Sequence, residues 1–200
     1  MSRRILWLEC SPYGPQSLGS LLLRTILGET NSDARSVSLC ERNLSVAGWP
    51  SISAGYAGAI TGRSSSEGDV FALSEQLICE LESSDGIVIS TPMHNFTIPA
   101  NLKHWIDLVV RKDRTFTGTP QGKRGLLKDR PVLVMVRSGS PFGEGSRQED
   151  FLTPYLRYVL GVIGIHSTEF VTLPGLAPAR ELQEAACQQL RQSAVFRMLA

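Results

Sequence analysis

The chain has 200 residues, 42% of them hydrophobic, and 20 Lys and Arg set against 19 Asp and Glu leave a formal net charge of +1. A chain of this length reads as one domain (1–200) that buries about 70% of its unfolded surface, and the even charge balance argues against nucleic acid as its main partner. The apolar run after Arg3 and Arg4 stops at Glu9, too short for a signal segment or a membrane span, so a cytoplasmic protein is expected.

The run Ile5-Leu6-Trp7-Leu8 lacks polar alternation, as expected of a first, central strand covered on both faces. Residues 11–17 (Ser-Pro-Tyr-Gly-Pro-Gln-Ser) are turn formers, and Leu18, Leu21, Leu22 and Ile26 then recur at helical spacing with Ser17 placed to cap them. A strand thus hands over, through small hydroxylated residues, to a helix N-terminus of the kind that suits a phosphate. Residues 35–39 read as a second strand. The long connection over residues 43–67, rich in Gly, Ser and Ala, reads as a cover or a mobile insertion. Val70, Leu73, Leu77, Ile78 and Leu81 mark the next helix, with a start signal at residues 64–67 and a stop at residues 83–86.

The most informative stretch is residues 85–116. A buried strand (86–90) and the polar loop Thr91-Pro92-Met93-His94-Asn95-Phe96 precede a helix with Leu102, Trp105, Ile106, Val109 and Val110 on one face, Pro99 being placed in its first turn. Arg111, Lys112 and Arg114 then read as a solvated helix end. The apolar strand 132–136 follows and ends in a second small-residue loop, Arg137-Ser138-Gly139-Ser140. Thr153-Pro154 reads as the N-cap and first position of a helix running to Gly164, residues 168–173 as a fifth strand, and residues 181–199 as one closing helix.

Five strands alternating with helices imply right-handed crossovers and a parallel sheet with helices on both faces. The expected fold is a flavodoxin-like α/β three-layer sandwich in the order 2-1-3-4-5. In that order the loops after strands one, three and four meet at the switch point, where ligands bind. Neither a G-x-G-x-x-G nor a G-x-x-x-x-G-K-[ST] cradle occurs, and no G-x-S-x-G elbow supplies a serine nucleophile. The cysteines, Cys10, Cys40, Cys79 and Cys187, form no C-x-x-C pair and have no histidine close enough to suggest a zinc site. They read as free thiols in a reducing compartment, and no metal is expected. His94 is the one histidine in the expected site, as an ordinary hydrogen-bonded loop residue or as a contact to a planar ligand. The three loops together suit a flat, phosphorylated heterocycle.

Pro92-Met93-His94-Asn95-Phe96-Thr97-Ile98-Pro99, then Leu102-Lys103 and Ile106-Asp107, closing on Thr115-Phe116, resembles the signature of the FMN-dependent NADH-azoreductase and quinone reductase family. The resemblance extends to Ser11-Pro12, Gly14 and Ser17, to Gly125-Leu126-Leu127, and to Leu160-Gly161-Val162-Ile163-Gly164. It implies that Ser11, Ser17, Leu18 and Gly19 hold the FMN phosphate, that Met93, His94, Asn95 and Phe96 line the flavin ring, and that Arg137, Ser138, Gly139 and Ser140 close over its other edge. It further implies a homodimer with sites at the subunit interface, NADH or NADPH as donor, and a quinone or azo acceptor reduced by two-electron, ping-pong transfer, with Phe116 and Val162 on the substrate side. The flavin carries the chemistry, so no protein catalytic residue is required. Departures from the signature are Gly19 where relatives carry a second serine, leaving Ser20 as the hydroxyl at hand; His94 for tyrosine; and Arg137-Ser138-Gly139-Ser140 for S-R-G-G. The rival readings are a flavin or chromate reductase of the same fold, and a non-catalytic FMN-binding electron carrier or redox sensor.

Overall fold

The computed structural model describes residues 3–31, 37–46, 48–63 and 69–199. In chain order these form β1 (Arg3–Glu9), a 3-10 turn (Gly14–Gln16), α1 (Leu18–Asn31), β2 (Val37–Asn43), α2 (Ala54–Ile60), α3 (Ala72–Glu82), β3 (Gly86–Pro92) and α4 (Ala100–Val109). Then come β4 (Phe116–Thr119), β5 (Gly122–Gly125), β6 (Val132–Ser138), α5 (Thr153–Val162), β7 (Thr168–Pro174), α6 (Arg180–Gln192) and α7 (Ala194–Leu199). The main sheet is parallel, in the order β2-β1-β3-β6-β7. With β6 and β7 as its fourth and fifth strands, this is the expected flavodoxin-like order.

Both faces of the sheet are buried, and alternation along each strand divides the core in two. Ile5 and Trp7 of β1, with Val88, Leu133 and Met135, pack under α1, α6 and α7 against Leu23, Ile26, Leu190 and Phe196. Leu6 and Leu8, with Ile87, Ile89 and Val134, face α3, α4 and α5 through Leu77, Leu81, Leu102, Trp105, Leu156 and Leu160. The same alternation brings Glu9, Ser90 and Arg137, at the carboxyl ends of their strands, onto the face that α1 covers.

Several expectations shift. The second strand runs through Asn43 although Cys40 to Asn43 is polar, because an edge strand is held by its backbone pairing to β1 and needs no apolar pattern. Arg35 and Ser36, read into it, lie outside the described residues, as do residues 64–67, read as the next helix start. Within residues 43–67, α2 is capped by Ser53, whose Oγ accepts the Tyr56 N–H at 3.0 Å. Buried Tyr56 donates its hydroxyl to the Leu108 carbonyl and packs edge-on against Phe71. Pro99 is the N-cap of α4, one residue before the first turn, and its carbonyl accepts the Lys103 N–H. At α5 the N-cap is Leu152, and the Asp150 carboxylate takes the N–H groups of Leu152 and Thr153 in place of a Thr153 cap. The closing helix is broken at extended Ser193, whose hydroxyl caps α7.

Two regions differ from the expectation. Of the cations after α4, Lys112 is exposed as expected, but Arg111 is buried over the Phe71 ring and donates to Ser74 Oγ and to Glu75, while Arg114 joins Glu75 to Glu82. Their guanidinium groups hold the Glu75 carboxyl below the usual range against the opposing effect of burial. The antiparallel hairpin β4–β5 went unread because its strands are four residues each, polar, and joined through Gly122 at φ +119°. It packs where no side chain fits: a Cβ on Gly125 would lie 2.2 Å from the Gly164 nitrogen.

Candidate active site

A cavity of about 420 Å³ opens at the carboxyl ends of β1, β3 and β6. Its walls include Ser11, Ser17 and Leu18 from the first loop, Met93 and His94 from the loop after β3, and Arg137, Ser138 and Gly139 from the end of β6. Eight of the residues singled out in the sequence therefore meet in one place, because the strand order puts β1, β3 and β6 side by side.

The first loop uses up most of its own donors. The Ser11 N–H goes to Glu9 Oε1 (2.8 Å), Tyr13 to Ser11 Oγ (3.2 Å), and Gly14, Gln16 and Ser17 to loop carbonyls. Ser17 caps α1 by accepting the Ser20 N–H at 3.1 Å. Among the described residues this leaves the N–H groups of Leu18 and Gly19 without a protein acceptor, beside the hydroxyls of Ser11 and Ser17, which accept one bond each and still have a proton to donate. Two orphan amides and two hydroxyls at the positive end of a helix of 14 residues form an anion cradle, and this donor set fits a phosphate. Gly19 itself lies under the cavity wall: a Cβ there would sit 3.0 Å from Ser90 Oγ and 3.7 Å from Arg137 Cγ. Ser20 does not offer its hydroxyl to the cradle; it is fully buried and donates it to Glu9 Oε2. Burial pushes the Glu9 carboxyl up to about 7.

After β3 the chain turns sharply. The Met93 N–H binds the Arg137 carbonyl, tying this loop to β6, and His94 and Thr97 exchange backbone bonds of 2.9 and 3.1 Å around Asn95 and Phe96, at φ +46° and +73°. Two central residues with positive φ make the turn left-handed. Asparagine tolerates this, whereas for phenylalanine it is a strained conformation of the kind found at functional sites. Met93 and His94 face the cavity; Asn95 and Phe96 do not line it. Phe96, 57% exposed, and Ser140 instead line an adjoining groove with Arg147, Gln148, Glu149 and Phe151. Gln148 joins the two spaces, donating its amide to Met93 Sδ at 2.9 Å. Phe116 and Val162 are on neither: Phe116 is on the hairpin beneath Lys123, and Val162 ends α5.

Arg137 is half-buried, and its guanidinium donates to the carbonyls of Leu173 and Gly175, the second at 2.9 Å. Burial lowers its pKa, with no carboxylate to oppose the shift. It is thus a fixed cation in the cavity wall, held by neutral carbonyls and suited to an anionic ligand. The sequence reading missed Tyr13, Gln16, Ser90, Thr91, Gly175 and Leu176, which also line the cavity. Ser90 and Thr91 were signalled by the polar end of an apolar strand. The Gly175-Leu176 turn lay outside the three loops that the switch point singles out.

A parallel five-stranded sheet of this order, with an anion cradle at its first helix and the cavity at its switch point, defines a flavodoxin-like protein. The chain belongs to the flavodoxin-like fold family, whose sequence profile matches residues 3–195. FMN-dependent NADH:quinone oxidoreductase 5 of Burkholderia lata is 50% identical over 193 residues, covering 96% of this chain and 95% of its own. FMN-dependent NADH:quinone oxidoreductase 4 of Pseudomonas fluorescens is 44% identical, covering 94% and 92%. The crystal structure of an FMN-dependent NADH-azoreductase from Bacillus anthracis in complex with FMN superposes with a TM-score of 0.79 at 21% identity over 100% of both chains, which shows the shared fold.

Proposed function

We propose that this chain is an FMN-dependent NADH:quinone oxidoreductase that also reduces azo compounds, acting as a cytoplasmic homodimer. One observation carries the reading. Ser11, Ser17 and Leu18, whose N–H like that of the adjacent Gly19 is unpaired, line the same cavity as Met93, His94 and Gly139. FMN, when bound, supplies the chemistry, taking two electrons from NADH and delivering them to the acceptor. The chain's own residues bind and orient. The cradle donors would hold the phosphate, Met93 and His94 would offer apolar and ring surface to the flat heterocycle, and Arg137, packed beside Gly19, would add a fixed positive charge to the cavity wall for the anionic cofactor. Support for the activity comes from relatives of that name covering nearly the whole chain.

Support for a dimer comes from the rim. Tyr13 (77% exposed) and Leu176 (91%) leave apolar surface at the cavity mouth, and Phe96 and Phe151 do so along the adjoining groove, a surface that a second copy would cover. Four free thiols, Cys10, Cys40, Cys79 and Cys187, support a reducing compartment.

The test is anaerobic mixing of the purified yellow protein with NADH or NADPH, followed at the flavin band. Bleaching by NADH, recovery on adding a quinone, and parallel double-reciprocal lines are expected. No bleaching with either nicotinamide identifies a non-catalytic FMN module; faster turnover with free FMN or chromate than with a quinone identifies a flavin or chromate reductase. A colourless, folded protein that takes up no FMN overturns the reading.

A further inference from the structure

Beneath the cradle lies an ionisable side chain that the proposed function does not use. Glu9, the last residue of β1, has no exposed surface. Its Oε1 accepts the Ser11 N–H and its Oε2 the Ser20 hydroxyl, so one carboxyl engages both the loop before α1 and the first turn of α1. Ser90, its register partner on β3, stands beside it on the same face of the sheet.

The charged groups around it do not neutralise it. From β2, Glu41 repels it; from α1, Arg24 attracts it but is bound to both Glu41 oxygens at 2.7 Å and lies over the Trp7 ring. Cys10, next in the chain, is buried with its thiol pushed up, the Glu9 charge contributing to that shift. Arg137, facing α1 from β6, gives its guanidinium to the Leu173 and Gly175 carbonyls. No cation is hydrogen-bonded to Glu9 among the described residues. Ionised, it is a buried anion directly under donors suited to a second anion.

Resting on the FMN reading above, we propose that Glu9 is a positioning residue for the cradle that becomes a neutral acid when a phosphomonoester dianion occupies the loop, so that FMN binding takes up one proton from solvent. The balance is simple: carboxylate, proton and FMN dianion become carboxylic acid and bound dianion, with no bond broken in the cofactor. Protonated, Glu9 keeps one oxygen as acceptor for Ser11 and can donate to Ser20 or Ser90, so the loop holds its shape without the opposing charge.

The experiment titrates the full chain, stripped of flavin, with FMN and with riboflavin, which lacks the phosphate, across pH 7 to 9. A phosphomonoester's second ionisation, near pH 6, is then already complete. Burial gives the free carboxyl a pKa of about 7. The FMN dissociation constant is expected to rise toward tenfold per pH unit above it, while riboflavin binding stays flat. Calorimetry at pH 8 in buffers of different ionisation enthalpy should show close to one proton taken up with FMN and none with riboflavin. Glu9→Gln, which keeps an acceptor for Ser11 and a donor for Ser20, should bind FMN without the pH slope or the proton. The same slope for riboflavin, the same slope in Glu9→Gln, or no proton uptake by the unmutated protein overturns the proposal; the last needs no variant to fold. Failure of both flavins to bind at any pH overturns the FMN reading itself.

Discussion

Replacing Ser17 by alanine and by aspartate separates two jobs of one hydroxyl, which caps α1 through the Ser20 N–H and stands in the cavity wall as a proposed phosphate donor. Alanine removes both. Loss of an N-cap costs about 1 kcal/mol, which in a domain of this size lowers Tm by roughly 2–4 °C. Loss of a hydrogen bond to a charged phosphate costs about 1.5–3 kcal/mol, roughly 10- to 150-fold in FMN affinity. Aspartate keeps the cap and so should keep Tm within about 1 °C of the parent. Its carboxylate, however, would stand beside the phosphate in a site where the serine is only 8% exposed. Two unit charges about 4 Å apart in a medium of effective dielectric about 20 repel by roughly 4 kcal/mol, about a thousandfold in affinity. Thermal melts of the flavin-free chain and fluorescence titrations with FMN and riboflavin read the two effects separately. Ser17→Asp should melt like the parent, bind riboflavin like the parent, and lose FMN. Parent-like FMN affinity in Ser17→Asp would refute the placement of a phosphate at α1.

Two further outcomes concern the scaffold. Asp129 accepts the N–H groups of Arg130, His166 and Ser167 and the Ser167 hydroxyl, bonds that hold its carboxyl below the ordinary value although burial opposes them. A depressed folded-state pKa contributes stability above the unfolded value, about pH 4, and loses it as pH falls through the folded one. Because Asp129 is exposed, solvent screening keeps its contribution below about 1 kcal/mol, so Asp129→Asn should lower Tm by roughly 1–2 °C at neutral pH, with the difference from the parent shrinking below about pH 4; a difference constant down to pH 2 would exclude this origin. Gly125→Ala should cost about 3 kcal/mol or more, since its methyl would meet the backbone of Gly164 and Ile163, which cannot yield as a side chain end does. A urea midpoint within error of the parent would show that the hairpin is free to move off α5.

Much of the architecture was written in local patterns. Unbroken apolar runs at Ile5 to Leu8, Ile87 to Ile89 and Val132 to Val136 signal strands buried on both faces, and the helical spacing of Leu102, Trp105, Ile106 and Val109 signals what covers them. Alternation of the two then leaves few topologies, so the loops that meet could be named in advance. Polar and irregular pieces were illegible: β2 is defined by its neighbour, the β4–β5 hairpin by two glycine-bearing backbones in contact, and the break at Ser193 by a single cap. Gly125 and Gly164, matched in the sequence as separate stretches, turn out to touch.

The site divides in the same way. Residue type and spacing alone determined that Ser17 caps α1, which depends on neighbours in the chain, and the alternation of strands and helices pointed to three of the loops that form the site, though not to the Gly175-Leu176 turn. Only the tertiary structure decided that Asn95 and Phe96 lie off the cavity on a left-handed turn, that Ser20 turns inward, that Arg137 reaches the carbonyls of β7 and the turn after it, and that Glu9 ends β1 buried beneath Ser11. The direction of a side chain at a strand end, and the charge it can carry, depend on what other strands and helices place against it, and that is settled by packing between residues far apart in sequence.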